Sequence, residues 1–227
     1  MRIRKIISFF LLIVFCVNIC IWICSCKARI ESGKNFTNSL GMEFIKLSTG
    51  YYVSKYETKQ SDFEAIMGYN PSINKSPDNP VECLTADEAI KFCEKLTKIE
   101  EGKGVLPEGY VYALPTYKQW RKYVSNAKLQ GSITPKKFSG MEVLSSRPVG
   151  SGEVNRLGIY DLRGNVAEFS SDLFHPDLYR GKGGYMILGA SWNKHRDDFI
   201  AIRNRGGFVN RNDKSLDVGF RCILIKK

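Results

Sequence analysis

Two helix-opening boxes sit ahead of residue 120, whereas everything beyond Gly131 reads as short strands broken by glycine, proline, asparagine and aspartate. Thr85-Ala86-Asp87-Glu88 places a hydroxyl first and a carboxylate three residues later, so each side chain can satisfy a free backbone N–H at a helix start. Ala89, Phe92, Cys93 and Leu96 follow at helical spacing, which turns Cys93 inward. Thr116 and Gln119 form a second box ahead of Trp120 and Val124. A third, shorter helix is expected to open at Thr58, run through Phe63, Ile66 and Met67, and stop at Gly68. Ahead of it, residues 41–47 and 50–56 read as strands. Helices come early and strands late, without the strand–helix alternation of a parallel sheet, so the class is α+β. With 43% hydrophobic and 25% charged residues the chain is globular rather than disordered, and its 20 glycines and 13 phenylalanines suit a loop-rich, aromatic-packed core.

The first residues set the compartment. Arg2, Arg4 and Lys5 precede an apolar run from Ile6 to Ile23, the pattern of an export signal whose positive end stays cytoplasmic. The run ends Ile23-Cys24-Ser25-Cys26, which resembles a bacterial lipobox and makes Cys26 the expected lipid-bearing residue. An uncleaved membrane anchor is the alternative, since the run is long enough to span a bilayer. Residues 1–26 are thus a signal or anchor, 27–38 a polar linker, and 39–227 one domain held outside the cytoplasm in the cell envelope. Lys27, where an aspartate would mark retention at the inner membrane, leans towards the outer membrane. The formal charge of +11 includes Arg2, Arg4 and Lys5, so the remainder keeps eight positive charges net. That balance suits anionic partners or simply a solubilising surface. No helix-turn-helix, zinc spacing or RNA-binding motif accompanies it, so nucleic acid is not an expected partner.

Seven blocks then occur in one order. They are Asn38-Ser39-Leu40-Gly41-Met42-Glu43-Phe44 with Tyr52-Val53-Ser54-Lys55-Tyr56-Glu57-Thr58; Met67-Gly68-Tyr69-Asn70-Pro71-Ser72; Asn79-Pro80-Val81-Glu82; Leu114-Pro115-Thr116 with Trp120; residues 158–168; Gly189-Ala190-Ser191-Trp192; and Gly219-Phe220-Arg221-Cys222. Together they resemble the formylglycine-generating enzyme, or sulfatase-modifying factor, family. The resemblance implies a single C-type-lectin-like α+β domain, loop-rich, with short strands and about three helices.

The resemblance also says which chemistry to look for. Oxidases of the family hold Cu(I) between two cysteines just after the Gly-Gly-Ser-aromatic turn, and soft thiolates suit that ion. Here the corresponding positions are Lys194 and Phe199, and no cysteine lies between Cys93 and Cys222. The related iron enzymes use three histidines, whereas this chain has only His175 and His195. No catalytic residue is assigned and copper is not expected. A non-oxidase binding or scaffold module is the leading expectation; an unconventional formylglycine-forming oxidase, or another enzyme using the same groove, is the alternative.

Three further features carry over from the family. Asp161, Gly164, Val166 and Glu168 match a structural Ca²⁺ site, two carboxylates bracketing two backbone carbonyls; an exposed Asp and a capping Glu are the plainer alternative. Cys93 and Cys222 match a disulfide, against the alternative of two buried reduced thiols, and Cys83 is left unpaired. Ser191, Trp192, His195 and Arg196 fall on the turn that lines the family's peptide groove, where an envelope protein, a peptide or an anionic glycan would bind.

Overall fold

The computed structural model describes residues 34–106, 108–128, 136–138, 141–143, 145–174, 184–192, 207–210 and 212–227. Its framework is a five-stranded sheet in the order β1 (Phe36–Thr37), β2 (Glu43–Lys46), β3 (Tyr52–Ser54), β11 (Ile223–Lys226), β4 (Tyr110–Ala113). The last strand of the chain therefore lies between two of the earliest, with Ile223 opposite Val53 and Leu224 opposite Tyr52. Phe36, in the segment read as a linker, is buried and pairs with Phe44, so the domain begins slightly earlier than its polar composition suggests.

Successive side chains on a strand point to opposite faces, and here both faces are covered. Phe44, Tyr52, Tyr112 and Leu224 join the larger core, whereas Val53 and Ile223 join a second one. Over the first face lie α1 (Gln60–Met67) and α2 (Ala86–Gly102), which bring Phe63, Phe92 and Leu96. Phe63 stacks on Phe92 at 5.7 Å, and Phe220 meets Phe92 edge-on at 5.2 Å. Over the second face lies α3 (Tyr117–Val124), with Trp120 and Tyr123 packed beside Ile159, Leu162 and Leu188.

Both capping boxes form as read: Thr85 with Glu88, and Thr116 with Gln119. The start of α1 differs. Its N-cap is Lys59, with no side-chain cap, because Thr58 is drawn into the core, where its hydroxyl lies 3.9 Å from Cys222 Sγ. Gly68 ends the helix in the left-handed conformation, as the stop signal requires.

A hairpin, β5 (Lys136–Phe138) with β6 (Met141–Val143), stands apart in a two-stranded sheet. The remaining sheet runs β10 (Val218–Gly219), β7 (Ala167–Phe174), β8 (Gly184–Leu188), β9 (Gly207–Asn210). Here β10 pairs with β7 in parallel, a pairing that the element order did not suggest. Gly219 also lets the Val81 backbone pack against β10, since a Cβ there would stand 2.4 Å from the Val81 carbonyl oxygen. The α+β class, the three helices and the sheet-rich second half all agree with the sequence.

Candidate functional site

The Gly189–Trp192 turn leaves the end of β8 and is fastened on two sides. Gly189 takes φ +79°, with a carbonyl oxygen of Leu162 2.9 Å from where a Cβ would sit, so glycine suits both the turn and the close approach. Ser191 Oγ donates to Asp217 Oδ2 at 2.7 Å, and Ser215 Oγ donates to the other oxygen of the same carboxylate. Trp192 donates its backbone N–H to Asn165 O at 2.8 Å and its Nε1–H to Leu216 O at 3.3 Å. Ser191 and Trp192 are both buried and so is Asp217, which makes these contacts the turn's own scaffold. His195 and Arg196, the other two expected groove residues, lie outside the described residues, as do Lys194, Phe199 and the lipid-bearing candidate Cys26.

Beneath the turn runs the 161–168 loop, built around buried charge. Asp161 and Asn165 both take left-handed φ, 58° and 61°, which short polar side chains tolerate best. The Asp161 carboxylate accepts the N–H groups of Gly150 at 2.6 Å and Gly152 at 3.0 Å. Asn165 accepts from Arg147 N–H at 2.8 Å and donates to Glu57 Oε2 at 2.6 Å, while Val166 N–H donates to Glu57 Oε1 at 3.1 Å. Glu168 pairs with Arg221, whose Nε lies 2.9 Å and Nη2 2.8 Å from its Oε1. The same guanidinium donates to Ser54 O at 2.9 Å and Tyr160 O at 2.7 Å, joining β3, the loop and β7.

Three carboxylates and one guanidinium are thus withdrawn from water together, none more than 2% exposed. Burial, aided by the Asp161 charge, pushes the Glu57 carboxyl well above the usual carboxylate range. Burial also raises Glu168, against the pull of Arg221. Glu168 Oε2 and the Tyr123 hydroxyl have no hydrogen-bond partner among the described residues. The orphaned Glu168 Oε2 is an acceptor that a cation would complete, whereas both Asp161 oxygens already accept backbone N–H groups and the other Glu168 oxygen is held by Arg221. Sequence reasoning found two of these carboxylates but missed Glu57, Asn165, Asp217 and Arg221. Glu57 and Arg221 stand inside quoted blocks, Tyr56-Glu57-Thr58 and Gly219-Phe220-Arg221-Cys222, which were the available signal.

The two sulfur atoms that touch lie elsewhere, whereas Cys83 adjoins the scaffold of the turn through Ser215. Cys93 and Cys222 meet in the larger core with Sγ atoms 3.6 Å apart, both free thiols. Contact with Cys222, followed by burial, pushes the Cys93 thiol well above its ordinary value. Cys83 is half-buried and takes φ 63°, its N–H bonded to Ser215 O.

The profile of the sulfatase-modifying factor enzyme 1-like domain matches residues 32–226, nearly the whole length outside the apolar segment. The chain belongs to this family. Among relatives of this sulfatase-modifying factor enzyme 1-like domain, the chaperone protein LppX of Paenibacillus barcinonensis is 28% identical over 202 residues, 65% of this chain and 72% of that protein. Solved structures share the fold. PvdO from Pseudomonas aeruginosa superposes with a TM-score of 0.60 at 15% identity, covering 88% of this chain and 100% of that one. Treponema denticola variable protein 1 gives 0.59 at 19%, covering 86% and 99%. At such identities the likeness speaks for the fold alone.

Proposed function

We propose that this family member is anchored in the bacterial envelope, through Cys26 or an uncleaved apolar segment, and works as a binding or scaffold module rather than a copper oxidase. One observation carries the reading: the placement of sulfur. No cysteine lies between Cys93 and Cys222 in the sequence, so no pair of thiols follows the Ser191 turn. The one thiol pair in contact among the described residues is sealed in the core, 2% and 0% exposed, beyond the reach of a peptide. Cuprous ion asks for soft ligands, and the turn's serine, tryptophan and aspartate are not soft. A relative named as a chaperone supports a domain that holds protein segments. On this reading the partner is an envelope protein or peptide, or an anionic glycan, and the domain faces away from the cytoplasm, with the outer membrane preferred. Turnover of a cysteine-bearing peptide with Cu(I) and dioxygen is the test, and none is expected.

Within this reading calcium has a structural role. Asp161 and Glu168 would supply carboxylate oxygens, Gly164 and Val166 their carbonyls, and the ion would neutralise buried charge. Binding to the folded state alone adds about 2.7 kcal/mol at a hundredfold excess over the dissociation constant. Millimolar Ca²⁺ should therefore raise the melting temperature, a chelator should reverse the rise, and Glu168→Gln should abolish it. An unchanged melting temperature across that series would remove calcium from the account.

A further inference from the structure

Helix α3 carries Lys118, Arg121 and Lys122, all exposed, and no acidic residue. Arg121 and Lys122 lie in its last turn, where cations favour the helix dipole. Arg121 also lies 6.0 Å over the Tyr117 ring of the same helix, but Lys118 lies in the first turn, where a cation opposes the dipole, so helix stability does not explain it. None of the three forms an ion pair among the described residues.

Against the C-terminal end of α3 packs a tight, well-braced loop. Val154 bridges to Tyr160, and Asn155 accepts the N–H groups of Leu157 and Ile159 while its own amide donates to Tyr123 O at 2.7 Å. The brace leaves Val154 49% and Leu157 38% exposed, with the exposed Arg156 between them. Lys128 also lies here, paired loosely with Glu153 at 3.7 Å.

We infer that α3 and the 154–157 loop form a face that docks on anionic phospholipid headgroups, bringing the domain down onto the membrane that anchors it. Charge complementarity supplies the first argument, since each Lys or Arg at an anionic surface favours docking roughly fivefold. The second is the pair of aliphatic side chains among the cations. Such side chains gain from sinking towards the acyl boundary and gain nothing from a hydrated glycan. Tether length supplies the third, and here the inference rests on the anchored reading above. Between the anchor and Lys34 the chain has eight residue steps from Cys26, or eleven from Ile23 if the apolar run is kept, which extend to at most about 29 or 40 Å. A domain of this size has a radius of gyration of roughly 16 Å, so the tether holds it within about one domain diameter of the bilayer. The rigid brace means that docking costs little ordering.

The test uses the full chain reconstituted in vesicles and footprints its lysines with a neutral amine-reactive reagent, read by mass spectrometry. In phosphatidylglycerol-containing vesicles, labelling of Lys118 and Lys122 should slow about fivefold or more relative to pure phosphatidylcholine. Lys91 and Lys98, exposed on α2, should not change. Raising NaCl to about 0.5 M should restore the labelling by screening, and the Arg121→Glu/Arg156→Glu variant should lose the protection. Equal labelling in both lipids overturns the proposal, as does protection by soluble polygalacturonate without protection by anionic vesicles, which would make the face a glycan site. Flotation with phosphatidylcholine vesicles reads the anchor separately. A chain that floats without headgroup-dependent protection loses the docking face and keeps the anchor. One that fails to float loses the anchor, and anionic vesicles added to it still decide the docking.

Discussion

Arg221→Ala should cost about 3–5 kcal/mol of folding stability, the usual consequence of stranding one partner of a buried ion pair. The guanidinium is fully buried and its donors are spent on Glu168, Ser54 O and Tyr160 O. Removing it leaves Glu168 with neither oxygen paired, since Oε2 already has no partner, and it frees two carbonyls inside the protein. Glu57 would also lose the positive charge that draws its pKa down. Arg221→Lys should recover only part of the loss, because a point charge cannot reproduce three directed contacts. The double variant Arg221→Met/Glu168→Leu should be less damaged than Arg221→Ala, since it buries no unpaired charge. Urea unfolding of the four proteins checks the series. A single-variant loss below about 1 kcal/mol would mean that the pair contributes no more than an exposed one.

Closing a bridge between Cys93 and Cys222 should raise stability by roughly 4–5 kcal/mol over the reduced protein, on a chain-entropy basis. The sulfurs already touch at 3.6 Å, and the residues lie 129 apart, so the bridge would restrain most of the domain in the unfolded state. Bonding them requires an approach to about 2.05 Å, a shift within side-chain reach. The same burial makes oxidation of the folded protein slow, because the thiolate is the attacking species and the Cys93 thiol is held well above its ordinary pKa. Refolding in the presence of an oxidant should therefore give the bridge readily, while the same oxidant added to folded, reduced protein should give it slowly. Thermal melts of the two species measure the difference. Equal stability would show that native strain cancels the gain.

Local signals in the sequence were read well where local physics decides the outcome. The Thr85–Glu88 and Thr116–Gln119 boxes are self-contained reciprocal hydrogen bonds, and both form. Cys93 turned inward because helical spacing alone sets its face. Thr58 failed as a cap because a long-range contact with Cys222 competes for its hydroxyl, and nothing nearby in the chain reveals that. The parallel β7–β10 pair was hidden for a similar reason, because it joins segments about fifty residues apart. The buried centre was half visible. Asp161 and Glu168 stood out through the family resemblance, but Glu57 and Arg221 are charged residues at interior positions, where hydrophobic periodicity marks nothing. Their burial becomes intelligible only once all four meet.

The Ser191 turn, which no cysteine follows in the sequence before Cys222, bears the weight of the functional reading, and a peptide-oxidation assay addresses it most directly. Purified chain, loaded with stoichiometric Cu(I) under air, is incubated with a Cys-x-Pro-x-Arg peptide and the peptide mass is followed. An unchanged mass, with an active family oxidase converting the same peptide in parallel, is the predicted result. Loss of mass at the peptide cysteine, corresponding to conversion of its thiol to an aldehyde, would contradict the account.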